Sequence, residues 1–328
     1  MKTLRILITV GLTLVFIPFF VSAQSGSIED GKRLLEQKYY KAAKTVFEEL
    51  TESDSKNHEA FHYLGRSLFE LEEYEKSVNA LEKSIKIHPT SSDYHVWLGD
   101  ALAYRAREVN KLSMIMIAGK MKKSYEKAVE LDPDNVDARW GLMQYLLAAP
   151  AIGGGSKEKA KEQAQEIMRL DKNRGHEALL LVYANEKNLD SLEKQALEAI
   201  AFNEKNITFK VYLSYAYHAR SEYDKAFDFC EKTLIEVSDK APFLYQIGRV
   251  SALSGERLDR GIECLKMYLN SELETTSITP GKDMAYWDMG RIYEHKNDIE
   301  SATTAYERAL KINPNFEYAK KALKKIRK

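Results

Sequence analysis

The sequence predicts an all-α chain of about eight helix-turn-helix repeats followed by one capping helix. Three observations lead there. Small and aromatic residues recur in one register every ~34 residues, and this recurrence occupies nearly the whole chain after residue 23. The final stretch, residues 317–328, carries Tyr318, Ala322, Leu323 and Ile326 on one helical face and lysines on the other.

The first 23 residues differ in kind from the rest. Lys2 and Arg5 lead into an uncharged apolar run from Ile6 to Val21, Pro18 breaks the run near its end, and Val21-Ser22-Ala23 offers the small residues a signal peptidase needs. The run is shorter than the roughly 20 residues that span a bilayer comfortably. Cleavage is therefore expected before Gln24, leaving a soluble chain that is periplasmic or extracellular, with an uncleaved anchor as the alternative. No cysteine follows the site to carry a lipid.

Removing that segment leaves 47 basic residues against 49 acidic ones, a formal charge of −2. Such a balance gives no reason to expect nucleic acid. The remaining length would suit one large domain or two ordinary ones, but a stack of repeats escapes that size rule because its core grows with every unit. A single array over residues 24–328 is the expectation. Cys230 and Cys264 lie 34 residues apart at equivalent repeat positions, which are too far apart in a stack for an undistorted disulfide. Two buried free thiols are expected.

The clearest repeat is residues 283–316. Gly290, Ala302 and Ala309 let two antiparallel helices approach closely, Trp287, Met289, Tyr293 and Tyr306 fill the wedge between them, and Pro314 stops the second helix. Residues 58–91 repeat the register with Leu64, Gly65, Leu68, Tyr74, Leu81 and Pro89, and residues 207–240 with Leu213, Tyr217, Tyr223, Ala226 and Cys230. Gly31, Ala43 and Phe47 mark a first unit over 24–57, and Gly248, Gly261 and Leu265 a seventh over 241–274.

The third to fifth units, 92–135, 136–174 and 175–206, are irregular. The third keeps Trp97, Leu98 and Gly99 but gains an insert over 105–121 that reads as lengthened helices with extra apolar surface at Met114, Ile115, Met116 and Ile117. The fourth holds Ala149-Pro150-Ala151-Ile152-Gly153-Gly154-Gly155 between its helices, a loop that Ser156 ends by capping the next helix. The fifth is short and its pattern degenerate. The cap covers the last apolar face, and its run Lys320, Lys321, Lys324, Lys325, Arg327, Lys328 reads as a solvated helix C-terminus.

These motifs resemble the tetratricopeptide family, and residues 94–160 look like a group of exported bacterial members of unassigned role. The resemblance implies a right-handed α-α superhelix, a tetratricopeptide solenoid, whose first helices line a concave groove. It further implies a non-enzymatic scaffold or adaptor that holds an extended peptide or a partner helix there. The lysine and asparagine clamp with which some members grip a C-terminal carboxylate is not reproduced.

Two motifs invite a catalytic or anion-binding reading. His58-Glu59-Ala60-Phe61-His62 matches the zinc-peptidase pattern of two His one turn apart with an intervening Glu base. The third ligand would fall at position 68, which is Leu68, and the same residues open the second repeat. A zinc metallopeptidase is accordingly the remote alternative. Gly153-Gly154-Gly155-Ser156-Lys157 lacks the spacing of a phosphate-binding loop and reads as a flexible turn. No catalytic residue, metal site or cofactor is expected.

The helical period places one face of each first helix toward the groove. Trp140, Tyr183, Tyr215, Tyr245 and Trp287 fall on it, with Arg66, Arg249 and Arg291 and with His62, His218 and His295. Flat rings beside guanidinium groups suit a protein or peptide partner with acidic and apolar features. The same surface would also suit a glycan or another small solute, the second alternative.

Overall fold

A computed structural model of the chain describes residues 26–272 and 278–326. The signal-like segment 1–23 and its expected cleavage site before Gln24 lie outside the described residues, as do Arg327 and Lys328. Among the described residues there are 17 α-helices, one 3₁₀ turn and no strand. No helix among them is long and apolar enough to cross a membrane. The chain divides into two compact units between Arg105 and Ala106, a position inside the third expected repeat.

Unit 1 contains α1 (Ile28–Glu36), α2 (Tyr40–Ser53), α3 (His58–Glu70), α4 (Tyr74–Ile87) and α5 (Ser92–Arg105). Each helix packs on the next, and α3 also touches α1 and α5. This is the pairing a stack of helical hairpins requires, with Leu35, Ala43, Phe47, Leu64, Leu68 and Ala80 closing a shared core.

Unit 2 opens with α6 (Lys111–Leu131), which at 21 residues is the longest helix described. Hairpins then follow: α7 (Val136–Ala148) with α8 (Lys157–Leu170), α9 (Lys172–Glu186) with α10 (Leu189–Phe202), and α11 (Ile207–Ala219) with α12 (Tyr223–Glu236). The last two are α13 (Ala241–Ser254) with α14 (Leu258–Asn270) and α15 (Lys282–His295) with α16 (Ile299–Ile312). The helix α17 (Glu317–Ile326) ends the unit, burying Ala319 and Leu323 against Ala302, Tyr306, Ala309 and Phe316. Successive first helices α7, α9, α11, α13 and α15 touch one another, and each also meets the second helix before it.

Local chemistry sets the helix boundaries. Asn57, Asn135 and Asn206 each accept a backbone N–H from the first turn of α3, α7 and α11, satisfying a donor the helix cannot satisfy itself. Inside most hairpins the turn passes through the left-handed region: Lys38, Glu72, Lys187, Ser221 and Asn297 all have φ between 58° and 63°. Close helix approach is likewise written in residue type. A Cβ on Gly290 would lie 2.4 Å from Tyr306 Cε1, so α15 and α16 meet at a distance only hydrogen permits.

The loop before α8 is more structured than a flexible turn. Residues Ala151–Gly153 form the 3₁₀ turn, Tyr145 donates its hydroxyl to the Gly153 carbonyl at 2.7 Å, and Ser156 caps α8 through Lys159 N–H. Gly155 is obligatory, because a Cβ there would sit 1.8 Å from the Ala149 carbonyl oxygen.

Candidate partner-binding surface

Four of the residues expected to face a partner converge in unit 2 around one that was not anticipated, Asp288. Its carboxylate is 0% exposed. It accepts the Tyr245 hydroxyl at 3.0 Å and Arg249 Nη1 at 3.1 and 3.2 Å, with Arg291 Nη1 at 3.5 Å. Burial pushes the carboxyl's pKa up, while Arg249 pulls against that shift. Burial likewise raises the Tyr245 phenol well above its ordinary value, keeping it a hydrogen-bond donor.

This anchor orients an aromatic surface. The guanidinium groups of Arg249 and Arg291 stand 5.8 and 5.1 Å from the Trp287 ring centroid, within cation–π range. On the C-terminal side Trp287 meets Phe316 edge-on at 6.0 Å and Tyr318 at 5.3 Å with a 42° tilt. Two cations share a single buried carboxylate, so Trp287 lies in a field of net positive charge.

A cleft of about 540 Å³ opens beside this ring, walled by α15, α16 and α17. Trp287, Tyr306 and Tyr318 supply its aromatic lining, and Arg291, Lys321 and Lys325 its cations. Glu294 is already engaged, accepting the Tyr306 hydroxyl and pairing with Lys325 at 3.5 Å. Lys321 has no carboxylate partner among the described residues. The surface can therefore bury an apolar side chain against Trp287 and Tyr318 while Arg291 and Lys321 meet a negative charge.

Three tetratricopeptide repeat family models match the sequence, over residues 29–92, 119–135 and 284–316. The chain carries tetratricopeptide repeats. A solved tetratricopeptide repeat protein from Parabacteroides merdae ATCC 43184 is similar over 92% of this chain and 97% of its own, at 12% identity and TM-score 0.60. The hetero-tetramer of the APC/C proteins Cut9 and Hcn1 contains a chain similar over 88% of this one and 52% of its own, at 17% identity and TM-score 0.55. At these identities the likeness concerns the all-α repeat fold. No curated protein matches.

The other expected surface residues of these tetratricopeptide repeats are distributed singly. Trp140 lies beneath Arg174 at 5.2 Å and Tyr183 beside Lys161 at 5.1 Å, both at the margin of one core cluster. Tyr215 meets His218 edge-on at 5.2 Å. In unit 1, Arg66 is clamped between Tyr63 and Trp97, 5.1 and 4.5 Å from their centroids. Tyr245 stands apart from this group because it is 2% exposed and its hydroxyl is spent on Asp288. His218 is buried too, its imidazole pKa pushed down to about 4 by desolvation and by Arg249. His295 lines the cleft, with Nε2 3.2 Å from the Ala252 carbonyl.

Asp288 and Phe316 were not expected at this surface. Tyr318, expected on the apolar face with which the last helix caps the stack, is 61% exposed and joins the cleft because Ala319 and Leu323 make the buried face instead. The available signal for Asp288 was a carboxylate between Trp287 and Met289, a position where the repeat buries its side chains.

The zinc-peptidase-like residues have structural employment in the second repeat. His58 Nδ1 is 2.9 Å from the Tyr94 hydroxyl and its ring stacks on His88 at 4.5 Å. Glu59 pairs with Lys32 at 2.5 Å, and His62 stacks on Tyr94 at 4.3 Å with 3% of its surface exposed. Among the described residues, no group of three or more His, Cys, Asp or Glu side chains is placed to hold a metal ion.

Proposed function

We propose that the protein is a non-enzymatic adaptor of the bacterial cell envelope that captures a protein or peptide partner in the cleft between α15 and α17. Tetratricopeptide arrays are protein-interaction scaffolds, which supplies the general class. The observation that carries the specific reading is the juxtaposition of the Trp287–Tyr318 pair with the unpaired Lys321 and the excess of guanidinium charge at Arg249 and Arg291. A partner segment with an aromatic or aliphatic residue next to a carboxylate satisfies both halves of the surface. The apolar run before Gln24 supports export.

Two measurements test the proposal. Short acidic-aromatic peptides should bind the protein in fluorescence polarisation, and Trp287→Ala or Tyr318→Ala should weaken them at least ~10-fold, as expected on losing an aromatic anchor. Arg291→Glu and Lys321→Glu should do the same while far-UV circular dichroism stays unchanged. Saturation by a saccharide, with no peptide bound, would replace this reading with solute binding. For location, N-terminal sequencing of the protein from fractionated bacterial cells should begin at Gln24, and recovery in the cytoplasmic fraction would refute export.

A further inference from the structure

The helix α6 presents a surface that the partner cleft leaves unexplained. Its inner side enters the core of unit 2 only from its middle onward, through Ala118, Met121, Tyr125 and Val129. The turns before that project beyond the core. There Leu112 is 74% exposed, Ile115 67% and Met116 71%. These residues fall at i, i+3 and i+4, so they share one helical face. Gly119, at i+7, continues that face, and a Cβ there would meet nothing within 4 Å. Lys120 and Lys123 complete the stripe at i+8 and i+11, both exposed.

A second element beside α6 also holds out an apolar side chain. The 3₁₀ turn Ala151–Gly153 packs against α6, and its Ile152 is 99% exposed, the most exposed large apolar side chain described. That turn is tied to α7 by the Tyr145 hydroxyl, which donates to the Gly153 carbonyl at 2.7 Å, so Ile152 is held out from an ordered element. Aliphatic side chains held out in water from two neighbouring ordered elements mark an interaction surface.

Charge specifies the occupant. From Lys111 to Tyr125 the helix carries Lys111, Lys120, Lys122 and Lys123 and no acidic residue. Glu126 neutralises Lys122 at 3.4 Å, but Lys111 and Lys123 pair with no described carboxylate. An exposed aliphatic ridge flanked by lysines matches a surface that is negative outside and apolar just beneath, which is the construction of an anionic lipid leaflet. The apolar stretch is far too short to span a bilayer, so the helix would lie along it.

We propose that the N-terminal half of α6, together with Ile152, is a peripheral docking surface for anionic lipid membranes. Leu112, Ile115, Met116 and Ile152 enter the headgroup boundary, and Lys111 and Lys123 contact lipid phosphates. This surface is separate from the Trp287–Tyr318 cleft and stands or falls independently of it.

A local probe tests this without interference from the rest of the chain. Gly119→Cys labelled with acrylodan reports the polarity at the centre of the stripe, because Cys230 and Cys264 are buried and escape labelling. Vesicles of phosphatidylglycerol and phosphatidylethanolamine should shift the label's emission to the blue. Phosphatidylcholine vesicles should not, and high salt should reverse the shift. Ile115→Glu with Ile152→Glu should abolish the shift, and Lys111→Gln with Lys123→Gln should weaken vesicle affinity by roughly tenfold or more, circular dichroism confirming the fold in each case. An emission that ignores phosphatidylglycerol vesicles overturns the proposal. A blue shift that grows with protein concentration in the absence of lipid also overturns it, showing that a second copy covers this face.

Discussion

The Tyr245 hydroxyl donates to Asp288 Oδ2 at 3.0 Å, joining α13 to α15 through a carboxylate with no exposed surface. The bond fixes the acid that in turn holds Arg249 and Arg291 beside Trp287. Tyr245→Phe leaves a buried acceptor short of one partner, a loss worth about 1–3 kcal/mol. The expected result is a lower thermal midpoint of unit 2 together with weaker peptide binding, since the guanidinium groups lose their reference point. An unchanged midpoint would show that Arg249 and Arg291 suffice for Asp288.

The turn residue Lys187 has φ 58° and caps α9 from the left-handed region. A side chain there costs about 1 kcal/mol or slightly more relative to glycine. Lys187→Gly should therefore raise stability by roughly that amount in urea denaturation. Asn297→Gly, at the equivalent turn of the last hairpin with φ 59°, should gain less because asparagine tolerates the region.

Burial pushes the His62 imidazole down to about 3, with help from the charges of Arg66, His58 and Lys32. A folded-state value below the unfolded one of about 6.5 means that the unfolded chain binds the extra proton. Its contribution is intact above pH 6.5 and is lost progressively as pH falls toward 3, amounting to about 2 kcal/mol at pH ~5. His62→Phe should flatten the fall in the unit 1 melting temperature between pH ~6.5 and ~4. A variant that follows the wild-type slope would assign the acid sensitivity elsewhere.

Cys230 and Cys264 are free and buried, and burial pushes both thiols up to about 12. Neither should react with Ellman's reagent in the native protein at neutral pH, because attack requires thiolate and access. Both should titrate in guanidinium chloride. Fast reaction of one in the native state would indicate local opening around α12 or α14.

The hairpins were legible in the sequence because each pattern residue has a steric duty that few alternatives meet, as Gly290 under Tyr306 illustrates. Asn57, Asn135 and Asn206 similarly announce the starts of α3, α7 and α11. Depth was not legible. A helical period gives the direction of Tyr245 and Trp287 but not how far a neighbouring helix covers each. Tyr245 therefore lies under its neighbours while Trp287 borders a cleft. Asp288 was obscured for a related reason: its three partners come from α13 and α15, up to 43 residues apart, and only packing brings them together. The division at Arg105 and Ala106 had no punctuation in the sequence, since the surrounding insert contains no proline and one glycine.

The helix α17 covers the final apolar layer and also provides Tyr318, Lys321 and Lys325 to the cleft. A purification handle placed close behind α17 would lie beside that wall. An acidic epitope tag would then compete for the cleft it was meant to help study. Affinity reagents for this protein belong elsewhere on the chain, and a weak partner first missed with a C-terminal tag merits a second trial without one.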